Sequence, residues 1–208
     1  VTGFFACINT SNSELVRSFD YIIDSYTVVA DVNENNTINI SEEIVSTFKG
    51  GLNKHGIFRT LPLSASVGEA DNNGNVTYKN YRYTYSDISC DEDYKLYTQN
   101  DTLIIQIGNP YINVSGKTVV YKINYTISLG NDRDSKKDSF YYNLIGNFWD
   151  TDITVADITV NMPKEVDSTP IIYYGSYGQT NTADDFTFDG TTLRYVHDSP
   201  LKMGQGIT

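Results

Sequence analysis

Glu42 is the residue whose position most demands a chemical explanation. It lies in the run Thr37 to Phe48, TINISEEIVSTF, where Ile38, Ile40, Ile44 and Phe48 alternate with Asn39, Ser41, Glu43 and Thr47. Period-two alternation gives a strand one apolar side and one polar side. Glu42 shares the parity of Ile40 and Ile44, so it is carried toward the apolar side. A carboxylate there must be neutral or paired, because an isolated buried charge is costly. The nearest cation in the next strand-like run, His55-Gly56-Ile57-Phe58-Arg59, is Arg59. The first reading is a structural ion pair that fixes hairpin register. The chemical reading makes Glu42, His55 and Arg59 the floor of a pocket.

A second grouping is Trp149 with Asp150 and Asp152. A tryptophan beside two acids suits a sugar platform with paired carboxylates for acid–base work. Asp184 with Asp185 and the run Asp91-Glu92-Asp93 offer further acid pairs, but loops and strand ends make solvated turns the default for all of them. Asp71 to Asn75 and Asp132 to Asp134 are rich in oxygen donors, yet the twelve-residue calcium loop with its closing Glu is absent. The sequence has no GxSxG elbow and no glycine loop opening a helix, which argues against nucleophilic hydrolysis and phosphate cradling. No catalytic residue, metal ligand or cofactor is assigned. Two tyrosine groups, Tyr78 to Tyr85 and Tyr173 to Tyr177, present rigid amphipathic side chains suited to protein or glycan contact. Ordinary cross-strand pairing is the default explanation for them.

The elements that must position these residues are strands. Ser18 to Val32 and the Glu42 run, joined by the turn Asn33 to Asn36, predict a long antiparallel hairpin. Ile57 to Leu61, Val76 to Ser86 and Leu103 to Ile107 follow. Val119, Tyr121, Ile123, Tyr125, Ile127 and Leu129 give the cleanest alternation in the chain. Further strands are predicted near Phe140 to Ile145, Ile153 to Met162, Ile171 to Tyr174 and Thr192 to His197, with a loop over Tyr177 to Asp185. This predicts an all-β antiparallel sandwich of about ten strands with little or no helix. Residues 1–17 read as a mobile leader or signal-peptide remnant, and 18–208 as one domain with a possible subdomain boundary at 130–139.

Composition narrows the partners. The net charge is −11, with 15 Lys and Arg against 26 Asp and Glu. Nucleic-acid binding needs a basic stripe, and Lys136-Lys137 is flanked by aspartates instead. No apolar run approaches about 18 residues, so this segment does not span a bilayer as a helix. Cys7 and Cys90 are the two cysteines. Lipidation of Cys7, a Cys7–Cys90 disulfide and free thiols all stay open.

Three segments combine into a resemblance. Ile38 to Pro62 holds Ile40-Ser41-Glu42, Phe48 and the HGIFR run ending in Leu61-Pro62. Ile104 to Tyr125 holds Ile107-Gly108, Ser115-Gly116 and the alternating Tyr121, Ile123 and Tyr125. Tyr141 to Pro163 holds Tyr142-Asn143, Gly146-Asn147, Trp149 and Met162-Pro163. Their order resembles the YciQ-like family of predicted bacterial membrane proteins, the domain of unknown function 2207. Thr60 stands where the family usually has an acid, and Tyr141-Tyr142 where it often has Tyr-Trp. The resemblance implies an extracytoplasmic β-rich domain preceded by a signal sequence and followed by transmembrane helices. Leu201 to Thr208 then reads as the approach to a further strand. The expected role is a ligand- or protein-binding assembly module on the outer face of the cytoplasmic membrane, with an envelope protein or cell-wall glycan as partner. Alternatives are a glycan-binding or glycan-processing domain and a calcium-stabilised adhesin-like domain.

Overall fold

A computed structural model describes residues 19–70, 76–130, 140–179 and 181–208. Cys7, the leader, the Asp71–Asn75 turn and the charged loop at 131–139 lie outside the described residues. Fifteen strands and no helix are found among the described residues. In chain order, β1 (Tyr21–Val32) and β2 (Thr37–Phe48) form the predicted hairpin. Next come β3 (Ile57–Pro62), β4 (Ser64–Ala70), β5 (Val76–Arg82), β6 (Thr84–Cys90), β7 (Tyr94–Gln99) and β8 (Thr102–Ile107). Then follow β9 (Thr118–Ser128), β10 (Ala156–Asn161), β11 (Ile172–Ser176) and β12 (Asn181–Ala183). The last are β13 (Phe186–Phe188), β14 (Thr192–His197) and β15 (Gln205–Ile207).

One sheet has seven strands in the order β13-β14-β10-β1-β2-β9-β6. A second has the order β3-β8-β7, a third β12-β11-β15, and β4 pairs with β5 alone. Alternation in β2 is carried through without a slip: Ile38, Ile40, Glu42, Ile44, Ser46 and Phe48 are buried. In β9 the buried residues are Tyr121, Ile123, Tyr125 and Ile127. Ile57, Arg59 and Leu61 form the buried face of β3. These faces supply a single core, joined by Ile105 and Ile107 of β8 and by Ile145 and Trp149.

The all-β, largely antiparallel architecture is the one expected, while several finer expectations need correction or refinement. β1 pairs with β10 in parallel, with Tyr26 opposite Ala156 and Ala30 opposite Val160. The hairpin rule governs strands that follow one another, whereas β10 arrives on the open side of β1 after a long excursion. Phe140 to Ile145 is not a strand: only the bridge Ile145–Ile207 is made there. The expected strand over Val76 to Ser86 breaks at Tyr83 into β5 and β6, and the Tyr177 to Asp185 loop contains β12. β4 and β7 had no alternating apolar face to announce them. The tail at 201–208 is already paired, β15 with β11.

Glycines make one junction possible. A Cβ on Gly56 would lie 1.8 Å from the Ile107 carbonyl oxygen, and one on Gly108 would lie 1.9 Å from the His55 carbonyl oxygen. Both have positive φ, +152° and +126°. The HG and IG pairs in the sequence are therefore one feature: the ends of β3 and β8 pressed backbone to backbone.

Candidate functional site

The ionisable residues at the centre of the molecule form a clamp between the two main sheets. Glu42 points inward from β2. Register places Tyr125 of β9 opposite Ile40 and Tyr26 of β1 opposite Ile44. Both tyrosines are thus diagonal neighbours of Glu42 on the same face. Arg59 reaches across from β3. Its Nη2 donates to Glu42 Oε1 at 2.7 Å, and its Nε donates to Glu42 Oε2 at 2.9 Å. The Tyr125 hydroxyl donates to Glu42 Oε1 at 2.6 Å and accepts from Arg59 Nη2 at 3.3 Å. Arg59 Nη1 donates to the Thr60 carbonyl at 3.0 Å.

Both charges are 2% exposed. Burial is the largest influence and works against the Arg59 charge, but the field and hydrogen bond of Glu42 together with the fields of Tyr26 and Tyr125 outweigh it and hold the guanidinium firmly protonated. Burial together with the negative field of Glu42 keeps the phenols of Tyr26 and Tyr125 protonated far above their ordinary value. The fork geometry lets one arginine bind both carboxylate oxygens. A bidentate pair with an added hydroxyl donor is what a buried ion pair needs to offset desolvation.

Trp149 closes one side of the clamp. Arg59 Cζ lies 5.8 Å from the centre of its ring, a cation–π contact. Tyr26 meets the ring edge-on at 5.5 Å and 88°. Trp149 is 4% exposed. A sugar platform needs an open ring face, so Trp149 belongs to the core and does not serve that expectation. The preceding Asn147 explains the corner: its side-chain amide donates to the Gly175 and Gly204 carbonyls at 3.1 and 3.0 Å, stapling two loops. The acids beside Trp149 are engaged separately. Asp150 accepts from the Tyr21 hydroxyl at 2.7 Å, and Asp152 accepts from Lys202 Nζ and the Met203 amide at 3.0 and 2.9 Å.

The structure brings Glu42 and Arg59 together and leaves His55 out. His55 Nδ1 lies 2.9 Å from the Ile112 carbonyl oxygen, beside a surface cavity. The pocket floor of Glu42, His55 and Arg59 therefore does not exist as one site. Gly56 turns the chain between His55 and β3, which separates them. No group of three or more His, Cys, Asp or Glu that could hold a metal is found among the described residues. Chemically the clamp can lock two layers together, but it offers no route for a substrate.

The two tyrosine groups diverge. Tyr83 is buried against Tyr142, while the Tyr85 hydroxyl donates to the Pro62 carbonyl at 2.7 Å. Tyr141 and Tyr177 are exposed and Tyr173 is half-buried, and Thr208 ties their segments, its backbone pairing with Tyr173 and its hydroxyl donating to Asn143. Burial first, then the fields of Tyr173 and Tyr177, raise the Tyr141 phenol above its ordinary value. Tyr141 is 50% and Tyr177 is 87% exposed. Sequence reading reached Tyr173 to Tyr177 but not Tyr141, which comes from a distant loop. It also missed Tyr125 as a member of the clamp, although the parity of Tyr125 in β9 was the available signal.

Comparison with known proteins adds a family. The family described as the N-terminal domain of a predicted membrane protein, DUF2207, matches residues 22–208. No curated protein matches the chain. Solved structures similar to it include native leukotriene A4 hydrolase from Saccharomyces cerevisiae, at 10% identity and a TM-score of 0.45. The similarity covers 90% of this chain and 28% of that one. A putative protease from Parabacteroides distasonis has 8% identity and a TM-score of 0.45 over 90% of this chain and 39% of its own. An M1 zinc metallopeptidase from Deinococcus radiodurans has 10% identity and a TM-score of 0.42 over 91% of this chain and 42% of its own. This chain thus spans under half the length of each, and similarity this loose leaves their activities with them.

Proposed function

This chain belongs to the DUF2207 family of predicted membrane proteins, over their N-terminal domain, and from that premise we propose that it is an extracytoplasmic binding and assembly module that engages a protein of the cell envelope. The observation that carries the reading is the exposure of Tyr141 and Tyr177, with Tyr177 87% exposed, on segments tied together through Thr208. Tyrosine gives large contact area at low entropic cost and hydrogen-bonds at its tip, which is why it is enriched in protein interfaces. The buried clamp complements this role. It ties the layers into a stiff platform while leaving the face open.

Site-specific photo-crosslinking in the full-length membrane protein tests the reading. A photoreactive phenylalanine at position 177 is expected to give a discrete adduct with one envelope protein. The same group at the 94% exposed Tyr111 is expected to give none, and Tyr141→Ser is expected to weaken the adduct at 177. Equal, diffuse labelling from both positions would remove the reading.

A further inference from the structure

The strand β7 is the outer strand of the sheet β3-β8-β7, and β8 is its one strand partner among the described residues. The turn decides which of its backbone groups are used. Asn100 and Asp101, both at positive φ, join β7 to β8 as a two-residue hairpin loop, so Gln99 and Thr102 form the closing hydrogen-bonded pair. Hydrogen-bonded pairs then recur at every second residue. Lys95 and Tyr97 therefore bond to β8, and the Gly108 amide, donating to the Asp93 carbonyl at 2.7 Å, continues the series. The N–H and C=O groups of Tyr94, Leu96 and Thr98 point away from β8 instead.

Open edges of this kind are ordinarily blunted by bulges, prolines or very short strands. β6, the edge of the seven-stranded sheet, has a register shift between Ser86 and Ser89, and β12, β13 and β15 have three residues each. β7 has six residues, pairs without a shift and contains no proline. Its core side is also unfinished. Leu96 stands opposite Ile105 on the same side of the sheet, yet is 45% exposed while Ile105 is fully buried. The core layer thus ends between β8 and β7, and a further strand beside β7 would set apolar side chains against Leu96. The charge around the strand is one-sided. Asp87, Asp91, Glu92 and Asp93 precede it, all exposed, and Lys95 is the one base from Ser86 to Gln99. A second copy of the chain, at net charge −11, would bring the same acids against these, whereas a basic segment is drawn to them.

We propose that β7 is a docking edge for an extended segment of a partner protein in which apolar residues alternate with Lys or Arg. The segment adds as a strand: its backbone bonds to Tyr94, Leu96 and Thr98, its apolar residues lie against Leu96, and its cations meet the acids of Asp87 to Asp93. The site uses no residue of the tyrosine face and does not depend on that reading.

Amide hydrogen exchange of the 208-residue chain, followed residue by residue by NMR, tests this with a capped heptapeptide alternating lysine and valine. At ten times its dissociation constant the peptide is expected to slow the Leu96 and Thr98 amides about tenfold. A capped heptapeptide alternating glutamate and valine is expected not to bind. Glu92→Gln combined with Asp87→Asn is expected to weaken the lysine peptide about fivefold. Leu96→Pro removes an outward N–H while sparing the ladder to β8, and is expected to weaken it about tenfold. The lysine peptide N-methylated at every residue is expected not to bind the unaltered chain, a result that does not need the proline variant to fold. The proposal is overturned by no binding at millimolar peptide, by equal binding of the N-methylated or the glutamate peptide, or by binding that leaves Leu96 exchange unchanged. Leu96 exchange that slows with protein concentration alone would also overturn it, by giving the edge to a second copy.

Discussion

At the scale of single residues, Glu42 and Arg59 have meaning only as a pair. Removing one charge strands the other in a sealed interior, and that costs more than the pair contributes. Glu42→Gln should therefore destabilise the domain by about 3–5 kcal/mol, or roughly 10 °C in Tm. The double variant Glu42→Leu with Arg59→Met should recover most of that loss, since no charge is left behind. Chemical denaturation of the three proteins checks both statements, and an unchanged midpoint for Glu42→Gln would sink the clamp. Tyr125→Phe removes a hydroxyl that both donates and accepts, and should cost about 1–3 kcal/mol. His197 gives a pH dependence. Burial pulls its imidazole below the ordinary value, although the field of Asp198 opposes this. The folded state therefore favours the neutral ring, which sits 2.7 Å from the Tyr195 hydroxyl. Its stabilisation is present above the unfolded pKa of about 6.5 and is lost as pH falls through the lower folded value. His197→Gln should flatten the decline in unfolding free energy between about pH 7 and pH 5, measured by denaturant titration.

At the scale of elements, the β3–β8 junction is the tightest local constraint. Gly56→Ala or Gly108→Ala places a methyl group into opposing backbone and at a backbone angle that L-residues avoid. Each should destabilise by about 3 kcal/mol or more. Gly178→Ala, also at positive φ (+84°) but facing open space, should cost only about 1 kcal/mol. Equal losses at 56 and 178 by thermal melts would show that conformation alone, not the close approach, matters. Elements also mark what the sequence could and could not tell. β2 and β9 were legible because one face is buried and the alternation is uninterrupted, and β1 because its alternation runs unbroken from Tyr26 to Ala30, past a bulge between Ile23 and Ser25. β7 was not, because none of its residues is buried, and period two is written only by burial. The parallel β1–β10 pair left no local trace, since pairing between strands more than 100 residues apart is set by the whole core. Glu42 with Arg59 was legible because a carboxylate on an apolar face needs a cation. His55 was misplaced because adjacency to Arg59 in sequence says nothing about a glycine turn between them.

At the scale of the whole molecule, the charged centre is closed and the surface carries the recognisable chemistry. Trp149 looked like a surface residue because acids flank it, but its ring packs on Tyr26 and Arg59 while the acids serve neighbouring loops. Tyr141, Tyr173 and Tyr177 are brought together only by the fold, so no spacing rule could have joined them. A locked interior with exposed tyrosines is the arrangement from which the proposed partner-binding role is drawn. For an envelope partner, that face must lie outside the cytoplasmic membrane. The direct measurement replaces Tyr177 by cysteine in the full-length protein, in a background with Cys7 and Cys90 changed to serine, and treats intact cells with a membrane-impermeant maleimide. Labelling of position 177 without permeabilisation is the predicted result. Labelling only after the membrane is opened would contradict the account.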